Sequence, residues 1–600
     1  MLGELHPTNK IKYKQMKWLS FISAFVFLFI FSPVQLLFSQ SNMFIDNYQA
    51  KQILKGNYEP EKFVSANNAS TAELLVSELV HNASKENIYE LLVFLDTFHN
   101  RNTGSDTLSL HTGIGACRAW IKSYFDLISR ENENRMITGY LEFDASICGT
   151  SHHKNPFGIL PGTDTSKHEI LVIEGHFDTR NSDACDTQGY TPGSDDNGSG
   201  TVLVMEAARI LAKYSFERTI LFTTPTGEDQ GLWGAKAWAN YLDANNIEVL
   251  ACLNNDVVGG IYCGNTSSPP SCPYPGHIDS THVRVFSYVA GNSTSRNSPH
   301  KQLARLIKLI QDEQVNQFLE TRMTINIMAS EDRSGRSGDH IPFRQKGFPS
   351  IRFCSANENG NGAGNYPDRQ HSTRDLLGDD IDGDGILDTL YVDPGYLRRN
   401  VIINTTVLAN LANSSELTDY NFAPRPQGVN IRIESHDPLI EGYMVGIRQK
   451  SSRSHEFDEV QFHPAGDVLS VDLKNSERYY VSVSSIKNGF QSSFSDEYEV
   501  NLVSHDMLDF KEGIRMSPIS PNPWDNETSI TIDFSGISNT QLLQLNIMDL
   551  TGRLVYSKVI KGENGEVNVP LNGDGFDPGV YLVFLSSDGT RSNYQKMVKK

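Results

Sequence analysis

A histidine and a carboxylate two residues apart, His176 and Asp178, follow a short apolar run of branched residues at 170–173. Such a run reads as a buried parallel strand, so the pair stands at its carboxyl end. A Gly/Ser/Asp-rich loop containing Asp196 comes next, then residues 199–213, where Val202, Met205, Ala208, Ile210 and Leu211 recur at helical spacing. The pattern repeats along the chain. Glu228 and Asp229 follow the run at 219–223, Asp256 follows 249–253, and His371 lies in a late loop beyond 350–353. Imidazole nitrogen and carboxylate oxygen are zinc donors, and two ions about 3.5–4 Å apart need a carboxylate to bridge them. Polar residues at successive strand ends of one α/β sheet share its carboxyl edge, where such folds place their sites. Convergence on a single metal site is therefore expected.

The elements that must position these residues alternate. Helical spacing marks 71–80, 88–97, 116–127, 232–242, 302–316 and 397–411, and further strands are expected at 140–147 and 156–160. Strands alternating with helices mean an α/β architecture, a mostly parallel sheet flanked by helices. From about 421 the pattern changes to short strands separated by turns: 429–433, 443–448, 459–462, 468–473, 479–484 and 497–502. That reads as a β-sandwich. After a linker around 509–520, a second β-rich module runs to Lys600. The chain is thus an α/β domain followed by two β-sandwich-like domains.

Six hundred residues call for several domains, and a formal charge of −20 argues against nucleic acid or an anionic membrane as partner. Lys10, Lys12, Lys14 and Lys17 precede the apolar stretch 18–38, and Ser39-Gln40-Ser41 closes it. That is the layout of a secretory signal peptide over 1–40. An uncleaved anchor is the alternative, and Ser32-Pro33 inside the apolar stretch speaks against it. Residues 41–69 are polar and read as an N-terminal extension. All seven cysteines lie between Cys117 and Cys354. An exported protein keeps disulfides. Cys263 and Cys272 flank a turn-rich loop and are expected to pair, and the odd total leaves at least one thiol unpaired unless it pairs between chains. Cys185 sits in the site loop without a Cys/His ligand spacing, so it is not read as a metal ligand.

Five motifs resemble those of the co-catalytic zinc aminopeptidases, the family of bacterial leucyl aminopeptidase, with glutamate carboxypeptidase and glutaminyl cyclase as relatives. They are His176-Phe177-Asp178, Asp196-Asn197-Gly198-Ser199-Gly200, Gly227-Glu228-Asp229-Gln230-Gly231-Leu232, Asp256, and His371-Ser372-Thr373-Arg374-Asp375, in the family's order over 70–415. The resemblance implies that His176 and Asp256 hold one zinc, Asp229 and His371 the other, and that Asp196 bridges them. It assigns Glu228 as general base acting on a water between the ions, and Asp178 as the residue that orients His176. Asp229 departs from the family, where many members carry Glu. The stretch 421–503, with Pro424, Pro426 and YYVSVSSIKNG, resembles a fibronectin type III domain. Residues 516–600 resemble the C-terminal sorting domain of the type IX secretion system, through Ser520-Pro521-Asn522-Pro523-Trp524, 549–557 and Gly579-Val580-Tyr581.

The resemblance implies a secreted or surface-located zinc exopeptidase, an aminopeptidase acting on peptides, delivered through the periplasm by the export machinery. A glutaminyl cyclase-like acyltransferase on the same fold and an inactive binding protein are the alternatives. Asp196 could be only a helix N-cap, His340 a residue supporting the pocket, His152-His153 part of a polar surface loop, and His111 structural. Asp380, Asp382, Asp384 and Asp388 occupy positions 1, 3, 5 and 9 of a calcium-type loop with Gly385 at position 6. Position 12 is Tyr391 instead of Glu, with Asp393 as a possible substitute. Loops 327–336 and 356–368 are expected to build the substrate pocket.

Overall fold

The computed structural model describes residues 41–600 except 68–70, 269–270, 275, 290–296, 334, 361–367, 416–418, 426, 436, 453, 474–477, 502–507, 512–513, 535–540, 563–564, 588–589 and 593. The signal peptide expected over 1–40 lies outside the described residues. Residues 41–69 are no mere extension. Strand β1 (Ser41–Ile45) pairs antiparallel with β2 (Ile137–Ile147), and helix α1 (Tyr48–Leu54) buries Ala50, Ile53 and Leu54. Three buried residues in a seven-residue helix make a face too short to read as an amphipathic period.

Helices α2 (Ala72–Asn82), α3 (Lys85–Asp96) and α4 (Gly113–Glu131) precede the sheet proper. Thr71 and Ser84 cap the first two through their side-chain oxygens. The sheet then takes β3 (Thr150–Leu160), β4 (Ile170–Glu174), β5 (Ile220–Thr223), β6 (Val249–Asn255), β7 (His282–Ser287), β8 (Thr324–Ile327) and β9 (Ser350–Ser355). Its order is β1-β2-β3-β5-β4-β6-β9-β7-β8. The centre, β5-β4-β6-β9, is parallel, and antiparallel pairings add β3 on one side and β7 on the other. Strands β7 and β8 escape a sequence reading because Arg284 breaks the apolar run of one and the other is four residues long.

Helices α5 (Gly198–Leu211), α6 (Trp233–Ala244), α7 (Pro299–Ile310), α8 (His340–Gln345) and α9 (Pro394–Asn413) complete the domain. Apolar residues of α2–α5, α7 and α9 share one core on one face of the sheet, and those of α1, α6 and α8 form a second core on the other. Every residue of α5 except Arg209 is buried. The helix expected over 302–316 ends at Ile310 and continues as a π-helical turn, Gln311–Val315. His152 and His153 are not in a loop. They lie in β3 opposite Asp144 and Phe143; His152 sits 2.7 Å from Glu142 and 2.8 Å from Asp144, and buried His153 donates to the Ala145 carbonyl. These polar cross-strand pairs extend the hairpin beyond its apolar part. His111, expected to be structural, is exposed in the turn before α4.

A short hairpin, Gly378–Asp379 with Thr389–Leu390, frames the acidic turn. Six expected strands of the next module are present, with two more: Asp419–Arg425 opens it across the Pro-containing stretch, and the two-residue Phe490–Gln491 pairs with Arg478–Lys487. They form two sheets around a shared core that includes Val429, Tyr443, Val481 and Val500. This module is docked on the α/β domain: Met444, Phe490 and Phe494 belong to the larger domain's core. Polar contacts reinforce the seam, among them the Ala72 N–H donating to the Asn488 carbonyl and Lys487 Nζ 3.0 Å from Glu217. Strands from Leu508 onward form two further sheets with their own core around Trp524, Leu545 and Val583.

Candidate metal centre

Parallel β4, β5 and β6 end side by side, and the strand order reverses at β4, so a crevice opens at their carboxyl ends. His176 follows β4 by two residues, Glu228 follows β5 by five, and Asp256 follows β6 directly. The loop after β9, parallel to β6, delivers His371 to the same edge. Asp196 precedes α5, whose N-cap is Asn197: its side chain accepts the Gly200 N–H at 2.9 Å. Asp196 is therefore free of the capping role. A Cβ on Gly200 would stand 2.1 Å from the Asn255 carbonyl oxygen, so only glycine lets α5 start this close to β6.

The five expected ligands gather in two groups that share Asp196. His176 Nε2 lies 3.5 Å from Asp196 Oδ1 and 3.8 Å from Asp256 Oδ1. His371 Nε2 lies 3.1 Å from Asp196 Oδ2 and 3.1 Å from Asp229 Oδ1. The candidate ligand atoms within each group are all within 4.8 Å of one another. Glu228 stands beside them, its Oε2 3.9 Å from His176 Nε2.

The supports explain the orientation. His176 Nδ1 is 3.2 Å from the Asp178 carbonyl oxygen, an acceptor only, so that nitrogen carries the hydrogen and Nε2 faces the cavity. The Asp178 carboxylate, 3.5 Å from the same ring, accepts the N–H groups of Glu228 and Asp229 at 3.3 and 3.4 Å. Asp375 accepts the N–H groups of Asp195 and Asp196 at 3.2 and 2.9 Å, tying the His371 loop to the start of α5. Asp195 points elsewhere, accepting from Gly259 and Gly260. Arg352 Nη2 lies 2.9 Å from Asp256, and Arg180 contacts Asp229 at 3.0 Å and His371 Nδ1 at 2.8 Å.

Burial and crowding dominate the electrostatics. Burial pushes the Glu228 carboxyl well above the usual range; His176 opposes this, and Asp256, Asp339 and Asp229 add to it. Burial raises Asp229 as well. Burial also acts to raise Asp196, but His176 and His371 hold it well below. Burial acts to lower His371, and Asp196 with Asp229 overcome it, bringing the ring to about 10. Carboxylates packed this tightly without a cation must keep protons or pair with imidazolium. His176 Nε2 and Asp229 Oδ2 are buried without a hydrogen-bond partner. Two oxygen- and nitrogen-donor groups with unpaired inward atoms fit divalent zinc.

A cavity of about 210 Å³ opens onto the cluster, lined also by Arg180, Arg333 and Arg336. Of the two loops expected to build it, 327–336 contributes Arg333, Gly335 and Arg336. Loop 356–368 contributes no lining among the described residues, and its stretch 361–367 lies outside them. The arginines and Asp375's tethering role are absent from the sequence reading. Arg180 could have been noticed two residues after Asp178. His340 is buried and joins neither ligand group; its Nε2 donates to the Glu331 carbonyl. Cys185 is bridged to Cys148, Cys263 pairs with Cys272, and Cys117, Cys252 and Cys354 are free and buried. In the acidic turn Asp380, Asp382 and Asp388 cluster at the surface. Asp393 does not join them: its carboxylate accepts the Tyr396 N–H as the cap of α9.

A helix-flanked sheet with a buried imidazole and carboxylate cluster at its switch point is an α/β architecture built around a candidate metal centre. Comparison with known proteins makes the class specific. Residues 155–388 match the model of peptidase family M28, and residues 518–600 match the secretion system C-terminal sorting domain. A probable zinc metalloprotease of Leptosphaeria maculans is 31% identical over 382 residues, covering 58% of this chain and 84% of its own length. One from Pyrenophora teres f. teres is 28% identical, covering 61% and 80%. Among solved structures, the Legionella pneumophila LapA aminopeptidase aligns with TM-score 0.41 and 18% identity, over 57% of this chain and 75% of that one. The glutaminyl cyclase of Porphyromonas gingivalis aligns with TM-score 0.37 and 15% identity, over 55% and 98%. The chain belongs to peptidase family M28, a zinc metallopeptidase family, and ends in a type IX sorting domain that implies secretion or cell-surface export.

Proposed function

We propose that this protein is a secreted exopeptidase, an aminopeptidase that removes N-terminal residues from peptides with two zinc ions per catalytic domain. The observation that carries the reading is the division of Asp196, one oxygen toward His176 and the other toward His371. His176 and Asp256 would hold one ion, Asp229 and His371 the other, and Asp196 both. Zinc held there would supply Lewis acidity toward the scissile carbonyl and the attacking water. Glu228, 3.9 Å from His176 Nε2 and free of an ion pair with arginine or lysine among the described residues, would take the proton from that water and pass it to the departing amine. Asp178 is a positioning residue, holding the Glu228–Asp229 turn against the His176 loop. We read 70–415 as the catalytic domain and 421–503 as a fibronectin type III-like module. We further read 1–40 as a signal peptide and 516–600 as the part removed on export.

The test is Glu228→Gln measured for zinc content and for hydrolysis of aminoacyl-p-nitroanilides beside N-blocked controls. The expected result is two zinc ions per chain in both proteins, with turnover of the variant lower by at least about 10²-fold. Full activity in the variant removes Glu228 from the role, and cleavage confined to N-blocked substrates overturns the aminopeptidase assignment.

A further inference from the structure

The cavity wall outside the proposed ligands and Glu228 consists of Arg180, Gly231, Arg333, Gly335, Arg336 and Ser337. Every charged member is an arginine. Arg180 is committed to Asp229 and His371, and Arg333 to Glu358 and Asp332. Arg336 differs. It is half-buried at the cavity, and its guanidinium has no ion pair among the described residues. The carboxylate of Asp368, the acidic neighbour that feels its charge, is engaged by the Thr266 N–H and hydroxyl. A planar guanidinium fork matches a carboxylate with two parallel hydrogen bonds, whereas an ammonium group brought to the same wall meets like charge.

We propose that Arg336 receives a carboxylate of the substrate next to the scissile bond, so that the enzyme favours peptides whose cleaved end is anionic. The proposal rests on the peptidase reading above. The carboxylate has two chemical sources, an acidic side chain or the free end of the peptide. With a free chain end as the source, the enzyme would cut from the carboxyl terminus. In either case Arg336 binds without taking part in bond breaking.

The experiment uses the zinc-loaded full chain, Arg336→Gln and Arg336→Lys, with two pairs of substrates. Glutamyl- and glutaminyl-p-nitroanilide differ only in side-chain charge; N-acetyl dipeptides and their C-terminal amides differ only in the terminal carboxylate. At least one pair should show a preference of about ten-fold or more in kcat/KM for the carboxylate member. That ratio should collapse toward one in Arg336→Gln and be partly kept in Arg336→Lys. A ratio near one in both pairs, or one that survives Arg336→Gln, overturns the proposal. If the wild type hydrolyses none of the four, the peptidase reading fails separately. Calorimetric binding of glutamate against glutamine, and of glutamine against glutaminamide, then decides the carboxylate question by the same ratios.

Discussion

Glu497 joins the first β-module to the α/β domain, and its removal is the sharpest test of how that seam is held. The carboxylate accepts Nε and Nη2 of Arg448 at 3.0 and 2.9 Å, both from its own module, and lies 3.0 Å from Nη1 of Arg305 on α7. All three side chains are at most 1% exposed. Arg305 also donates to the His455 carbonyl and lies over the Phe457 ring, so it cannot swing out to water without breaking the interface. Glu497→Ala leaves two guanidiniums buried with their shared countercharge gone. Breaking a buried ion pair from one side costs about 3–5 kcal/mol, because the surviving charge keeps its desolvation penalty and loses its partner.

The same physics makes an opposite prediction for full replacement. Exchanging a whole buried ionic cluster for apolar residues of similar volume is neutral or stabilising by about 1–4 kcal/mol. Arg305→Met with Arg448→Met and Glu497→Leu should therefore be more stable than Glu497→Ala alone. The assay is urea unfolding, following the midpoint of the transition in which the α/β domain and this module lose structure, since a chain of several domains need not unfold in one step. The reasoning is refuted if Glu497→Ala stays within about 0.5 kcal/mol of wild type. It is also refuted if the triple variant is the less stable of the two.

Three further outcomes are expected. Asp375→Asn, which weakens the grip on the Asp195 and Asp196 amides, should lower zinc affinity by about 10–100-fold in chelator competition, and an unchanged affinity would show that the tether is dispensable. Removing zinc with a chelator should abolish hydrolysis and lower the unfolding midpoint, both reversed by added zinc. His300 is buried, and burial pulls its ring down to about 4 from the usual 6.5 while its Nδ1 accepts the Ser350 N–H. Below the ordinary value the unfolded state gains a proton that the folded ring refuses. Stability is thus complete above about 6.5 and is lost as pH falls toward 4, by about 3 kcal/mol in total. In His300→Gln that part of the acid-side loss should disappear; an unaltered pH profile would contradict it.

How far the site could be read in advance follows from how locally each residue is placed. His176 and Asp256 come within two residues of strands whose apolar runs are unmistakable, and Asp196 precedes a helix with clear periodicity, so position in the chain implies position at the sheet edge. Arg333, Arg336 and His371 hang on long loops whose paths depend on contacts made elsewhere. The strand that carries both His282 and Arg284, β7, breaks its own hydrophobic pattern. The buried cluster at the seam is harder still. Arg305 and Glu497 lie almost two hundred residues apart, and each alone reads as a solvated surface charge. A charge deep in a protein becomes visible only when its partner is known, because an unpaired one would have cost more than the fold can bear. The same rule links both ends of this molecule. At the seam, arginines neutralise a lone carboxylate; at the crevice, carboxylates and imidazoles crowd together with inward-facing atoms left unpaired. The second arrangement is one that a divalent cation would resolve, and on the proposal above Arg336 would meet the anionic group of the substrate beside it.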